Sequence, residues 1–164
     1  MTAFFMLIFF PVLTSECQSG FDARIAAAAK QLTCFPPDEQ NPVSLNAQLV
    51  SEGDSIAIIL KVSMAPGWHI YAYVPSTQPY IAIDQILQLP GNVKAVGGWT
   101  RTEPETSSAD VGVLIYDDQA LFIHKAVRSA HQRSGNIIRT ALYYQTCNLR
   151  QCLPPVEKIF ELKY

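Results

Sequence analysis

The residues best suited to chemistry are two cysteines near the end of the chain, Cys147 and Cys152, which are separated by four residues. If the flanking segments 137–146 and 156–162 are antiparallel neighbours, these four residues form a hairpin loop and the two sulfur atoms face one another. Directly opposed residues have Cα atoms about 4.5 Å apart in a non-hydrogen-bonded pair, within the range that a disulfide tolerates. The sequence therefore predicts a disulfide that forms without movement of the backbone.

The residues around this pair favour an exchangeable bond over a structural one. Pro154 and Pro155 lack N–H donors, so the second strand cannot continue a normal ladder just past Cys152, which is typical of an edge or an exposed rim. A ring this short restrains the unfolded chain by only about 2 kcal/mol. At a rim, the thiolate of a partner protein can reach the disulfide in line. Arg150, inside the loop, either favours a thiolate or is a solvated loop residue.

The elements that must position the pair are predicted from short apolar segments, many of them alternating, with Gly, Pro, Asn, Asp and Ser between them. Turn residues at 52–54 and 90–92 separate neighbouring segments, and no long amphipathic helix competes with the strands. This spacing predicts an all-β fold, an immunoglobulin-like β-sandwich. The candidate strands are 44–50, 55–63, 68–74, 81–87, 93–99, 111–116, 120–127, 137–146 and 156–162.

The start of the chain predicts export. Its apolar run has the length of the hydrophobic region of a signal peptide and is too short to span a bilayer, which takes about 20 helical residues. Cys17 is a weaker candidate for a lipid anchor, because an acidic residue precedes it. Outside the cytosol, two nearby thiols persist as a disulfide. The predicted divisions are a signal peptide at 1–19, a linker at 20–41 with a short helix at 21–31, and a β-sandwich domain at 42–164.

Charge and composition exclude several classes of function. The formal net charge is -2, and twelve basic residues are scattered among fourteen acidic ones, so nucleic acid is not an expected partner. His69, His124 and His131 lie on different predicted elements without a Cys-x-x-Cys pair, and no Gly-rich phosphate loop is visible. We therefore expect neither a metal nor a cofactor. Cys34 either pairs with the N-terminal cysteine or is an unpaired loop thiol.

Two segments resemble a known family. Residues 144–147 (Tyr-Gln-Thr-Cys) followed by 152–155 (Cys-Leu-Pro-Pro) are similar to the active-site hairpin in the N-terminal periplasmic domain of the thiol:disulfide interchange protein DsbD, a disulfide bond corrector-like domain. Residues 66–71 (Pro-Gly-Trp-His-Ile-Tyr) resemble the aromatic strand of its first sheet. The resemblance implies an immunoglobulin-like fold and a reversible disulfide between Cys147 and Cys152. It also implies that Cys152 makes the intermolecular bond and that Cys147 resolves it.

The same resemblance implies a periplasmic protein that passes electrons from a membrane thiol reductase to thioredoxin-like proteins, including those of cytochrome c biogenesis, and to protein disulfide substrates. Its activity would be that of a thiol-disulfide oxidoreductase component. The candidate catalytic residues are Cys147 and Cys152, and the candidate supporting residues are Tyr71, Tyr144, Arg150 and Pro154. The alternative function is a non-catalytic exported binding domain whose hairpin disulfide is structural.

This chain departs from the family in two respects. Relatives of full length continue into a membrane domain and a thioredoxin domain, so we expect this chain to rely on partners or to be a fragment. Enterobacterial relatives cover the disulfide with an aromatic cap loop, whereas the matching region at 102–110 contains no aromatic residue. Its Ser, Thr, Pro and acidic residues predict either a solvated segment that lies over the cysteines or a plain connecting loop.

Overall fold

The computed structural model describes residues 16–129 and 137–164, and within these ranges the chain forms one helix and eleven strands. The predicted signal peptide at 1–19 lies largely outside the described residues, as do the side chain of Cys17 and the whole of His131. The elements are α1 (Glu16–Gln31), β1 (Val43–Glu52), β2 (Ser55–Met64), β3 (His69–Tyr73), β4 (Asp84–Gln88), β5 (Val93–Arg101), β6 (Glu105–Thr106), β7 (Leu114–Asp117), β8 (Gln119–Arg128), β9 (Ile137–Tyr144), β10 (Thr146–Cys147) and β11 (Val156–Lys163).

The strands form three antiparallel sheets. Sheet A has the order β1-β2-β8-β5, sheet B has the order β10-β3-β7-β6, and sheet C has the order β11-β9-β4. Each of the nine candidate strands has a counterpart, but the segment predicted as one strand at 137–146 is divided between β9 in sheet C and β10 in sheet B. The chain therefore changes sheets two residues before Cys147.

The main core lies between sheet A and the other two sheets. Strand alternation sends every second side chain inward, and residues from both layers meet there. Leu60 and Phe122 of sheet A are fully buried in one cluster with Ile70 of sheet B and Leu142 of sheet C. This packing confirms the predicted β-sandwich of immunoglobulin-like type.

The helix α1 covers the outer face of sheet A. Ile25, Ala29 and Leu32 are buried against Val50 and Ile59 of that sheet. Because both faces of sheet A are covered, β2 is buried from Ile56 to Leu60 without alternation. The predicted short helix is thus present and packs on the sheet, while the division of the chain at residue 42 stays a prediction. No helix among residues 16–129 and 137–164 is long and apolar enough to cross a membrane.

Candidate functional site

The hairpin that carries the cysteines is built by β9 and β11. These strands pair in the register Tyr144 with Val156, as the sequence predicts for its last two strands. Between them, the side-chain oxygen of Gln145 accepts a hydrogen bond from the Ile81 amide at 3.0 Å. The chain then enters sheet B, where Thr146 pairs with Ile70 and Cys147 pairs with His69.

The loop closes on itself around one asparagine. The Oδ1 atom of Asn148 accepts hydrogen bonds from the amides of Arg150 and Gln151 at 2.8 and 2.9 Å, and the Asn148 amide donates to the Gln151 carbonyl at 2.9 Å. Cys147 and Cys152 form an antiparallel bridge with Cα atoms 4.0 Å apart and are joined by a disulfide. The cross-strand pairing that the sequence predicts is therefore present.

The two sulfur atoms lie in different surroundings. Cys147 is 1% exposed, whereas Cys152 is an exposed residue. Ile70 faces the main core, so its strand neighbours His69 and Tyr71 face away from it, and Cys147 lies opposite His69 on that same outer side. The disulfide thus stands on the outer face of sheet B and joins a buried residue to an exposed one.

Cys147 is buried in a cluster with apolar and aromatic residues, and we call three of them the disulfide cover: Tyr71, Tyr80 and Val113. Tyr71 and Val113 are fully buried in one cluster with Cys147, and Tyr80 packs against that cluster. The Tyr71 and Tyr80 rings are stacked with centroids 4.6 Å apart and planes inclined by 10°. Burial raises the pKa of Tyr71 well above its usual range, so its phenol is neutral. An aromatic cover is therefore present, but it comes from β3 and from the segment after it.

The loop before β7 is fastened beside the disulfide cover. The Ser107 amide donates to the Val113 carbonyl at 2.9 Å, and the Ser107 hydroxyl oxygen accepts from the amides of Ala109 and Asp110 at 3.3 and 3.1 Å. The Tyr80 hydroxyl donates to the Asp110 carboxylate at 3.3 Å. The region at 102–110 thus lacks an aromatic residue, but hydrogen bonds hold its end against Tyr80 and place Val113 at the cysteine.

His69 is the titratable side chain opposite Cys147. Its ring meets Tyr71 edge-on with centroids 5.1 Å apart, as expected for a histidine that packs beside its aromatic neighbours. Its Nε2 atom is buried and has no hydrogen-bond partner among the described residues. Burial lowers the pKa of His69, while the carboxylates of Asp110 and Asp117 act in the opposite direction.

The candidate supporting residues fall into different places. Tyr71 lies against Cys147, but Tyr144 is buried in the main core cluster and not in the cluster of Cys147. Burial raises the pKa of Tyr144 to about 12, as expected of a phenol in apolar surroundings. Arg150 and Pro154 are exposed in and after the loop, and the Arg150 side chain makes no ion pair with a described residue. Their roles in exchange stay predictions.

Sequence reasoning missed Tyr80 and Val113. Neither lies on the hairpin, and each reaches Cys147 from a segment whose path is set by loops. Elsewhere, Cys34 is a free cysteine whose thiol donates to the Lys61 carbonyl at 3.3 Å, and burial raises its pKa. Within the part of the chain that the structure describes, no group of three or more His, Cys, Asp and Glu residues is arranged to hold a metal ion.

Comparisons with known proteins identify the family of this chain. A family model described as "Thiol:disulfide interchange protein DsbD, N-terminal" matches residues 31–164. The N-terminal periplasmic domain of ScsB from Proteus mirabilis is 18% identical with a TM-score of 0.55, and the match covers 79% of this chain and 49% of that one. This chain therefore spans about half the length of that relative. No curated protein sequence matches the chain significantly.

Two structures from Neisseria meningitidis are also similar. The reduced DsbD N-terminal domain is 20% identical with a TM-score of 0.42, and the match covers 79% of this chain and 90% of that one. A complex between the DsbD N-terminal and PilB N-terminal domains contains a chain that is 16% identical with a TM-score of 0.42, with coverage of 77% and 86%.

Proposed function

Since the chain belongs to the family of N-terminal domains of the thiol:disulfide interchange protein DsbD, we propose that it relays electrons between proteins by reversible exchange at Cys147 and Cys152. The observation that carries this proposal is the unequal exposure of the two cysteines, 1% for Cys147 against an exposed Cys152. Exchange requires in-line attack on one sulfur atom while the other leaves. The accessible Cys152 is suited to attack, and the covered Cys147 is suited to leave.

Reduction of the domain proceeds in two steps. The thiolate of a partner dithiol attacks the Cys152 sulfur, a mixed disulfide forms, and the electron pair of the broken bond goes to the Cys147 sulfur. The second thiolate of the partner then attacks the mixed disulfide, so the partner is oxidised and Cys152 is released reduced. Both cysteine sulfurs end reduced, each as a thiol or a thiolate according to its pKa, and the protons come from the oxidised partner dithiol. In the reverse direction Cys152 attacks a target disulfide and Cys147 resolves the complex.

The surface around Cys152 supports a protein partner. Leu149 in the hairpin loop is 89% exposed, and Val111, two residues before Val113 of the disulfide cover, is 92% exposed. Apolar side chains that project beside a reactive bond suit contact with another protein. We propose thioredoxin-like proteins and a membrane thiol reductase as the partners, with protein disulfides as substrates. An exported, periplasmic location and a lipid anchor at Cys17 belong to the same proposal.

Trapping of the mixed disulfide tests the assignment of the two cysteines. Cys147→Ser leaves the exposed Cys152 able to capture a partner that it cannot release, so we expect a stable mixed disulfide with a thioredoxin-like protein. Cys152→Ser is the matched control, because its remaining thiol is buried on β10. Equal capture by the two variants, or none by Cys147→Ser, would contradict the assignment.

The reduction potential tests the function itself. Structural disulfides of exported proteins have potentials below about -300 mV, whereas known exchangers lie above that value. Equilibration of the purified protein with glutathione or dithiothreitol measures this quantity. We expect a value in the range of the exchangers, and a value below about -300 mV would instead identify a structural disulfide in a binding domain.

A further inference from the structure

Three residues form a row across sheet B. Cys147 on β10 lies opposite His69 on β3, and His69 lies opposite Asp117 on β7. Directly opposed residues of antiparallel strands carry their side chains on one face, with Cβ atoms about 4.5–5.5 Å apart. An imidazole is therefore placed between a sulfur of the disulfide and a carboxylate, the same sequence of groups by which a base activates a nucleophile and is itself oriented by a third residue.

The imidazole has a vacant hydrogen-bonding position on this face. Nε2 of His69 is buried without a partner among the described residues, and a polar atom in that state is destabilising. The strand that carries it is fixed to β10, because the Thr146 hydroxyl donates to the His69 carbonyl at 2.9 Å. A sulfur atom in a disulfide is a weak acceptor, whereas a thiolate is a charged and strong one. Reduction of Cys147 therefore places a stronger hydrogen-bond acceptor on the face of the sheet that carries His69.

We propose that His69 stabilises Cys147 as the leaving thiolate when a partner attacks Cys152. The proposal rests on the exchange function above and adds a residue to it. As the bond between the two sulfurs breaks, its electron pair goes to the Cys147 sulfur, which accepts a hydrogen bond from Nε2–H of His69. The partner thiolate supplies the new bond to Cys152, and the imidazole loses no proton in the step. His69 thus favours the reduced form of the pair.

The charges around His69 fit this role. The groups that face it are Cys147 on β10, Tyr71 on its own strand, Asp117 on β7 and Asp110 in the loop before β7. Burial lowers the pKa of His69, so the ring is neutral at neutral pH in the oxidised protein. A thiolate at Cys147 adds a negative charge beside the ring and raises that pKa. A Cys147 thiolate therefore increases the affinity of His69 for a proton.

His124 offers a matched comparison on sheet A. It is buried, whereas His69 is partly buried, and it also lies beside an aromatic ring, with the Trp99 ring at a centroid distance of 5.1 Å. Its Nδ1 atom already has a partner, the Lys125 carbonyl oxygen at 2.8 Å, and its strand neighbours in the register are not cysteines. Replacement of His124 therefore removes a buried histidine without touching the disulfide.

The decisive measurement is the equilibrium of the disulfide with glutathione in a Cys17→Ser, Cys34→Ser background, where Cys147 and Cys152 are the only cysteines. We expect His69→Phe to shift the equilibrium constant at least tenfold toward the oxidised form, which corresponds to about 30 mV for a two-electron couple. His124→Phe should leave the equilibrium constant within about twofold of the wild-type value, because His124 lies on sheet A and nothing near the cysteines changes.

A second variant separates hydrogen bonding from packing. His69→Gln keeps an N–H donor on β3 and should recover part of the shift, whereas His69→Phe keeps a ring for the contact with Tyr71 and should recover none. With Cys152→Ser added, the pKa of the single Cys147 thiol should rise on His69→Phe. An unchanged equilibrium constant in both folded His69 variants would overturn the proposal. If the reduction potential of the wild-type protein were below about -300 mV, the exchange function itself would be overturned, whatever the result for the His69 variants.

Discussion

The two outer faces of the sandwich are covered in different ways. On sheet A, the apolar side chains of Ile25 and Ala29 in helix α1 are buried over the sheet. On sheet B, the disulfide cover consists of Tyr71, Tyr80 and Val113, which come from a strand and two loops, and it leaves Cys152 accessible. A helix suits a face that only needs to be buried. The disulfide face is instead covered by separate side chains, which fits the proposed contact with a partner protein.

This contrast predicts that substitutions on the two faces separate stability from reactivity. Changes under α1 should lower the free energy of unfolding and leave the disulfide as it is. Changes in the disulfide cover should alter both the free energy of unfolding and the rate at which the disulfide is reduced. Urea unfolding of the oxidised protein and its rate of reduction by dithiothreitol provide the two measurements.

The largest effect is expected for Tyr71→Ala. Tyr71 is 1% exposed and stacks on Tyr80, and truncation of a buried aromatic residue costs about 3–5 kcal/mol. Because the same side chain covers Cys147, the disulfide should also be reduced faster. Tyr73→Ala is the control on the same strand, since Tyr73 is 54% exposed and should change stability by less than about 1 kcal/mol. A destabilised Tyr71→Ala protein with an unchanged reduction rate would show that the cover does not protect the bond.

Ile25→Ala comes next and tests the other face. Ile25 is 4% exposed between α1 and sheet A, and loss of a buried isoleucine side chain costs about 2–4 kcal/mol. The reduction rate should stay at the wild-type value, because the helix does not pack in the cluster of Cys147. Ala27→Ser, at an exposed position of the same helix, should cost less than about 0.5 kcal/mol. A faster reduction in Ile25→Ala would mean that the two faces are coupled through the core.

The sequence predicts these faces unequally, for physical reasons. Alternation and turn residues locate the strands, and the cysteine spacing with Pro154 and Pro155 locates an exposed hairpin. No Gly or Pro interrupts residues 137–146, so the sequence does not reveal that the chain crosses between sheets at Gln145. That crossing aligns Cys147 with His69, more than seventy residues away, and such a register depends on tertiary structure.

The disulfide cover is even less predictable from the sequence than the register of Cys147. Tyr80 and Val113 occupy loop positions whose side-chain directions follow no strand period, so no pattern predicts that they meet at Cys147. Tyr144 is the opposite case. The sequence predicts it as a supporting residue because it lies three positions before Cys147, but its side chain faces the main core. Proximity in sequence to a reactive residue is therefore a weaker guide than the side of the sheet.

Tyr80→Phe should have a smaller effect that is confined to the disulfide face. The substitution keeps the stacked ring and removes the hydrogen bond to Asp110, which contributes about 1 kcal/mol. The loop that carries Val113 is then held less firmly, so we expect a moderate increase in the reduction rate. Tyr143→Phe is the control, because the Tyr143 hydroxyl has no hydrogen-bond partner among the described residues. Identical rates for the two variants would assign the protection of Cys147 to the rings alone.

The smallest effect is expected in the pH dependence of stability, and it arises on the disulfide face at His69. Burial lowers the pKa of His69 below its usual 6.5, while Asp110 and Asp117 oppose this shift. At higher pH the imidazole is neutral in both the folded and the unfolded protein, so it adds no dependence. As the pH falls through 6.5 the unfolded chain binds the proton first, and the free energy of unfolding decreases.

Urea unfolding of the oxidised protein on either side of pH 6.5 measures this decrease, and His69→Gln should reduce it because glutamine does not titrate. The comparison uses the change with pH in each protein, so a constant cost of the substitution cancels. Parallel curves for the two proteins would mean that Asp110 and Asp117 compensate fully for burial in the oxidised state. The imidazole would then be protonated as readily in the folded protein as in the unfolded chain. The decrease in the free energy of unfolding at acid pH would then arise from protonation of the carboxylates.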